Sequence, residues 1–321
     1  MEQAILFGNG FNRITNEKCS WDDILSSKVD KDLRDISYTL QYESAYLKEY
    51  QDNSKSNDET SFKEDILRGI NSDFTNKVYE ILADSPIKYF ITTNYNTTLD
   101  NVLNIRGFRL KIDTKRLEKI YSIRRKHRLT KGADAKEVWY AHGEVSNPKS
   151  IMLGYDHYCG SLSKINDYIK GKYDYLGERK IPSIEKRIND KIYDIHSWID
   201  LFFFADLHII ALGLDFSEND IWWILNKRQR LIVDRKVNEL PNKIYFYMTE
   251  DDLKKRTLLE YFGVEVIEYT VTDNNYEDIY SNAIRSVIDR SKEYNCILKP
   301  TADSLCRLSA VFVCFILSHS V

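Results

Sequence analysis

Of the six histidines in this chain, His142 alone stands between an apolar stretch and a glycine, in Val138-Trp139-Tyr140-Ala141-His142-Gly143. Imidazole exchanges its proton near neutral pH, so a histidine at the end of a buried strand is placed for acid–base work. It is equally the residue of a hydrogen-bonded core position. His157 follows closely, in Gly154-Tyr155-Asp156-His157. Asn94 lies in Thr92-Thr93-Asn94-Tyr95-Asn96, directly after the apolar run Tyr89-Phe90-Ile91. Its amide does not titrate, but it donates and accepts at once, which suits holding a water or a ribose hydroxyl. An asparagine that positions water and a histidine that takes a proton together fit hydrolysis at a sugar carbon whose leaving group is already cationic. Other chemistries lack their motifs: there is no GxxxxGK[ST], no GxSxG elbow, no HExxH, and no visible carboxylate cluster for Mg²⁺.

Residues of this kind need strands behind them. The chain opens with Ala4-Ile5-Leu6-Phe7 running into Gly8-Asn9-Gly10-Phe11-Asn12. This is GxG without the third glycine of GxGxxG, and it reads either as a turn that lets backbone approach a phosphate or as a tight strand-to-helix turn. Further strands are expected at 89–92, 137–141, 150–154, 207–213, 244–248 and 264–269. The 207–213 run is apolar throughout, as a strand buried on both faces must be. Between the strands lie helical patterns: one opening at Ser20-Trp21 with Asp23 in the capping position, others near Thr97, at 221–225, 250–262 and 276–293. Repeated alternation predicts an α/β fold, a Rossmann-like parallel sheet with helices on both faces. Helical insertions are expected at about 26–86 (with a loop at 52–58), 105–136 and 160–200. One domain spans 1–295, followed by a tail at 296–321. Ligands of such sheets bind outside the carboxyl ends of the strands. Four of those ends carry polar or small residues: Gly8-Asn9-Gly10, Thr92 to Asn96, His142-Gly143, and Gly213-Leu214-Asp215-Phe216-Ser217.

The 321 residues are 43% apolar and 30% charged, with a net charge of −3, an ordinary balance for a globular protein with a sizeable core. One stretch departs from it. Lys111, Lys115, Arg116, Lys119, Arg124, Arg125, Lys126, Arg128, Lys131 and Lys136 form a basic run that reads as a solvated helical face or charged insertion, or as a nucleic-acid contact. Five cysteines with no CxxC pair give no zinc ribbon and no disulfide framework. Without a signal peptide, the expected compartment is the reducing cytoplasm. The apolar run 310–317 is too short to span a bilayer and is expected to be a buried terminal element or a subunit contact.

Taken in order, these strand ends resemble the sirtuin fold, in particular the SIR2-like domains of bacterial anti-phage defence proteins. Sirtuins carry a glycine-rich first turn, a Thr-Gln-Asn-x-Asp motif, a strand ending in His-Gly and a later one ending in Gly-Thr-Ser. Residues 4–225 offer Gly8 to Asn12, Thr92 to Asn96, Ala141-His142-Gly143 and Gly213 to Ser217 in the same order. The Gly-Asn-Gly-Phe opening is also similar to that of AbiH-type abortive-infection proteins. Asn96 stands where sirtuins have Asp, and the zinc module with its two CxxC pairs is absent, as is the acyl-lysine groove that it frames.

The resemblance implies NAD⁺ as substrate with no metal, cleaved to nicotinamide and ADP-ribose rather than used for deacetylation. It implies that Asn94 contacts the nicotinamide-side ribose and that His142 is the general base. Gly8, Asn9, Gly10, Phe11, Asn12, Thr92, Thr93, Asn96, Gly213, Asp215 and Ser217 would form the nucleotide-binding walls. It further implies an NAD-depleting effector kept silent through homo-oligomerisation or a separately encoded partner, an ATPase or a nucleic-acid-guided protein. The alternatives are a non-catalytic NAD⁺ or ADP-ribose sensor and a nucleic-acid-binding effector subunit.

Overall fold

Short apolar strands separated by polar helical stretches assemble into one sheet in the computed structural model, which describes residues 1–298 apart from 18, 26–27, 53–57, 69–73, 112–117, 119 and 175–179. Among the described residues the strands are β1 (Gln3–Phe7), β2 (Tyr89–Thr92), β3 (Arg109–Lys111), β4 (Lys126–Lys131), β5 (Asp134–Tyr140), β6 (Asp206–Ile210), β7 (Ile244–Met248) and β8 (Glu265–Glu268). Their order is β3-β4-β5-β2-β1-β6-β7-β8. The six strands from β5 to β8 in that order are parallel. Counted alone in chain order they read 3-2-1-4-5-6, the doubly wound arrangement whose winding reverses beside the first strand. That reversal leaves a crevice between the ends of β1 and β6.

The period of two along each strand decides the layers. Ala4 and Leu6 face one side with Ile91, Trp139, Leu207, Ile209 and Phe246. Ile5 and Phe7 face the other with Phe90, Val138, Tyr140, Tyr245 and Tyr247. The helices are α1 (Gly10–Arg13), α2 (Trp21–Leu25), α3 (Tyr38–Asp52), α4 (Glu59–Leu67), α5 (Lys77–Asp84), α6 (Thr98–Ile105), α7 (Tyr155–Ile169), α8 (Ile184–Asn189), α9 (Trp198–Phe204), α10 (Asn219–Val233), α11 (Leu253–Tyr261) and α12 (Tyr276–Leu298). The first face is covered by α7 to α11, the second by α5, α6 and α12. The expected capping pair opens α2: Ser20 N–H donates to Asp23 at 2.9 Å and Asp23 N–H to Ser20 Oγ at 3.2 Å. Helices α2, α3 and α4 form a third cluster around Leu25, Tyr42, Phe62 and Ile66. That cluster takes in Tyr95, just past β2, and Ile151 and Leu153, past β5, so this layer caps the strand ends.

Two expectations change. The described residues of the 105–136 stretch end α6 and then form strands rather than a helical insertion: β4 pairs antiparallel with β3 and with β5, joined to β5 by a two-residue turn at Gly132 (φ +59°). Two of its basic residues pair within the fold, Lys126 with Glu137 at 2.8 Å and buried Arg125 with Glu144 at 3.0 Å, while Lys111 and Arg128 stay exposed. Lys115, Arg116 and Lys119 lie outside the described residues. Residues 150–154 form no strand, because β5 already has β4 and β2 on its two edges. The segment is a 3₁₀ turn, Pro148–Ser150, followed by a buried connection that plugs the helical layer. The 160–200 stretch is helical as expected, made up among the described residues of α7 beginning at Tyr155, then α8 and α9. Residues 299–321, with the apolar run 310–317, lie outside the described residues. No helix among the described residues is long and apolar enough to cross a membrane.

Candidate active site

A cleft of about 740 Å³ opens at the carboxyl ends of the parallel strands, lined by the turns after β1, β2, β5, β6 and β7. The glycine turn forms its floor for a steric reason. A Cβ on Gly8 would lie 2.6 Å from Leu212 Cδ1, and one on Gly10 would lie 2.7 Å from the Ala211 carbonyl oxygen. Gly10 N–H donates to that same oxygen at 2.9 Å. The two glycines thus let the turn after β1 press against the chain leaving β6. There Ala211 (φ +56°) and Leu214 (φ +47°) take left-handed conformations. Each costs about 1–2 kcal/mol for a residue with a side chain, a form of strain concentrated at functional sites.

Asn94 is held by a buried relay. Its Nδ2 donates to the Gly8 carbonyl at 3.0 Å and its backbone N–H to Thr92 Oγ1 at 3.0 Å. Tyr79, which also meets the Asn94 side chain, donates its hydroxyl to Asn12 Oδ1 at 2.6 Å. Asn12 in turn donates to Asn9 Oδ1 at 2.9 Å. Such a chain fixes which way the amide points. Asn96 lines the cleft; its Oδ1 accepts from Thr98 N–H at 3.3 Å at the start of α6, and its buried Nδ2 has no hydrogen-bond partner.

His142, 2% exposed, lies in the turn two residues past β5. Gly143 (φ +95°) then turns the chain so tightly that a Cβ would lie 2.3 Å from the Ser150 carbonyl oxygen. His142 Nε2 meets Asp220 Oδ2 at 3.0 Å, and Nδ1 lies 3.7 Å from Glu218 Oε2. The Tyr158 ring stands edge-on at 5.5 Å. Burial works against the imidazolium, but the carboxylates of Asp220 and Glu218 outweigh it and raise the histidine to about 9. Burial raises Glu218 to about 7, with His142 opposing and Asp220 and Asp215 adding. Both carboxylates come from the start of α10, entered through a turn in which Ser217 N–H donates to Asp215 Oδ1 at 2.8 Å and Lys255 Nζ donates to the Gly213 carbonyl at 2.8 Å.

Of the residues singled out from the sequence, Asn9, Gly10, Asn12, Thr93, Asn94, Asn96, His142, Gly213, Asp215 and Ser217 line this one cleft. Three do not. Gly8 packs on Leu212, Thr92 holds Asn94, and Phe11 is fully buried, stacked on Phe7 at 5.2 Å. His157 is elsewhere: Nδ1 accepts the Leu153 and Gly154 N–H groups at 3.0 and 2.8 Å, and Nε2 meets Glu59 at 2.7 Å, tying α7 to α4. Sequence reasoning missed Glu218 and Asp220, because acids at a helix start read as caps; the available signal was their place just after a polar strand end. Together with His142 they put one donor atom each within 4.8 Å of one another. His142 Nε2 is hydrogen-bonded to Asp220 and its Nδ1 faces Glu218, an arrangement in which the three groups can share a proton.

A doubly wound sheet with polar residues from five strand ends on one switch-point cleft defines a dinucleotide-type α/β domain. The model of the SIR2-like domain matches residues 88–267, more than half of the chain, and the protein belongs to that family. The matched stretch contains Asn94, His142 and the turn after β6. SIR2-like domains bind NAD⁺. No curated protein matches the chain.

Proposed function

We propose that this protein hydrolyses NAD⁺ to nicotinamide and ADP-ribose and acts as an NAD-depleting effector in anti-phage defence. The observation that carries the reading is the convergence of Asn94, oriented by its relay, and His142, clamped by two carboxylates, on one cleft at the strand-order reversal. An amide and a proton-sharing cluster are what cleavage at an anomeric carbon with a departing pyridine requires: a fixed ribose and water, and a place for one proton. Arg125 and Lys126 of the basic stretch pair with Glu144 and Glu137 inside the fold, which removes those two charges from the nucleic-acid alternative. A hydrolase of NAD⁺ that never rested would deplete its own cell, so its activity is expected to depend on self-assembly or on a separately encoded partner.

The test is NAD⁺ loss by wild type, Asn94→Ala and His142→Ala, alone and with candidate partners, with folding checked by circular dichroism. Both variants should fold and lose about 10²–10⁴-fold in rate, the usual worth of acid–base and positioning groups. Equal rates in all three proteins would refute the assignment. Saturable NAD⁺ binding without turnover by wild type would make the protein a sensor.

A further inference from the structure

His142 is poorly placed to take another proton. One ring nitrogen is bonded to Asp220 and the other faces Glu218, so the imidazole sits between two acids and is held in its charged form. Asp220 is fully buried and engaged twice, by His142 and by the Ile221 N–H at 2.9 Å, and it does not line the cleft. Glu218 is different. It lines the cleft, its carboxylate is bonded by Tyr158, and its Oε2 is buried with no hydrogen-bond partner. A buried carboxylate oxygen that faces the imidazolium at 3.7 Å yet accepts no hydrogen bond is costly, and in a cleft it is an acceptor open to a ligand proton.

We propose that Glu218 is a further catalytic residue, the acceptor of the proton from the attacking water, and that Asp220 is a positioning residue that fixes His142 as its cationic neighbour. This rests on the NAD⁺-hydrolase reading and assigns one of its roles. The C1′–N1 bond breaks with its electron pair passing to the pyridinium nitrogen, which leaves as neutral nicotinamide. The water oxygen bonds to C1′, its proton passes to Glu218, and from there to solvent. The charged and titratable groups around Glu218 are His142 from the turn after β5, Asp220 from α10, Asp215 from the turn after β6, Tyr158 from α7 and Tyr95 from the turn after β2.

The experiment compares nicotinamide release in water and in added azide, an anion that attacks C1′ without surrendering a proton. Glu218→Gln should lose about 10²–10⁴-fold in hydrolysis, still bind NAD⁺, and recover nicotinamide release in azide with azido-ADP-ribose as product. Glu218→Asp, which keeps the charge but withdraws it by one methylene, should show a milder loss with the same azide response, and covers the case in which the amide fails to fold. Asp220→Asn should shift the pH profile of hydrolysis while leaving NAD⁺ binding in place. Wild-type hydrolysis by Glu218→Gln overturns the proposal alone. So does a folded Glu218→Gln that binds NAD⁺ and is silent in azide, or hydrolysis that a chelator abolishes and a divalent cation restores. Wild type that binds NAD⁺ and leaves it whole both alone and with candidate partners overturns the hydrolase reading and this proposal with it.

Discussion

Gly10 and Glu218 show how differently single residues reach the cleft. Gly10 serves by what it lacks: a methyl there would lie 2.7 Å from the Ala211 oxygen and 2.9 Å from the Ala211 Cβ, atoms of a strand exit that cannot move aside. Gly10→Ala is therefore expected to destabilise the fold by about 1–3 kcal/mol, read as a lower urea midpoint, and to weaken NAD⁺ binding with it. Glu218 serves by its charge. As the proton acceptor it must be ionised, so hydrolysis should rise as pH passes about 7 and fall again as His142 loses its proton near 9. A rate profile flat from pH 5 to 10 would contradict that pairing. Asn94 and His142 were legible in the sequence because a polar residue ending an apolar run has few structural excuses. Glu218 and Asp220 were not, since an acid in the first turn of a helix is ordinary capping, and only folding brings them to a histidine some eighty residues back.

At the level of elements, the edge hairpin and the α8–α9 pair depend on charges that the sequence could not assign to partners. His127 of β4 joins Asp100 of α6 and, at 3.1 Å, Glu144 beyond β5. Burial alone would lower its proton affinity, but bonds to the two acids raise it to about 10. A histidine raised in the folded state gives stability that is complete below about 6.5 and lost as pH climbs through 10. Wild type should thus lose thermal stability over that window, and His127→Gln should flatten the dependence. Arg187 of α8 pairs with Asp200 of α9 at 2.7 Å, both essentially unexposed. Arg187→Met would leave Asp200 charged and buried, at a cost of about 3–5 kcal/mol, measurable by denaturant unfolding. The strands themselves were readable from their apolar runs. The antiparallel hairpin was hidden, because the basic run through β4 reads as a solvated face until Glu137 is known to lie opposite Arg128.

For the whole molecule, the 3-2-1-4-5-6 order of the parallel strands makes the β1–β6 reversal the natural seat of a dinucleotide, and the cap of α2, α3 and α4 closes over the neighbouring strand ends. Alternation of strands and helices announced the layers. Strand order could not be announced, because it is set by which crossovers pack, a non-local choice. A ligand bound across this cleft ties β1, β2, β5 and β6 together. A non-hydrolysable NAD⁺ analogue at a hundred times its dissociation constant should therefore stabilise the fold by about 2.7 kcal/mol, visible as a raised melting temperature. The most direct test of the central claim is proton NMR of NAD⁺ incubated with the purified protein, alone and with candidate partners. The account predicts that nicotinamide and ADP-ribose appear in equal amounts as NAD⁺ disappears. NAD⁺ that stays intact while bound in the cleft would contradict it.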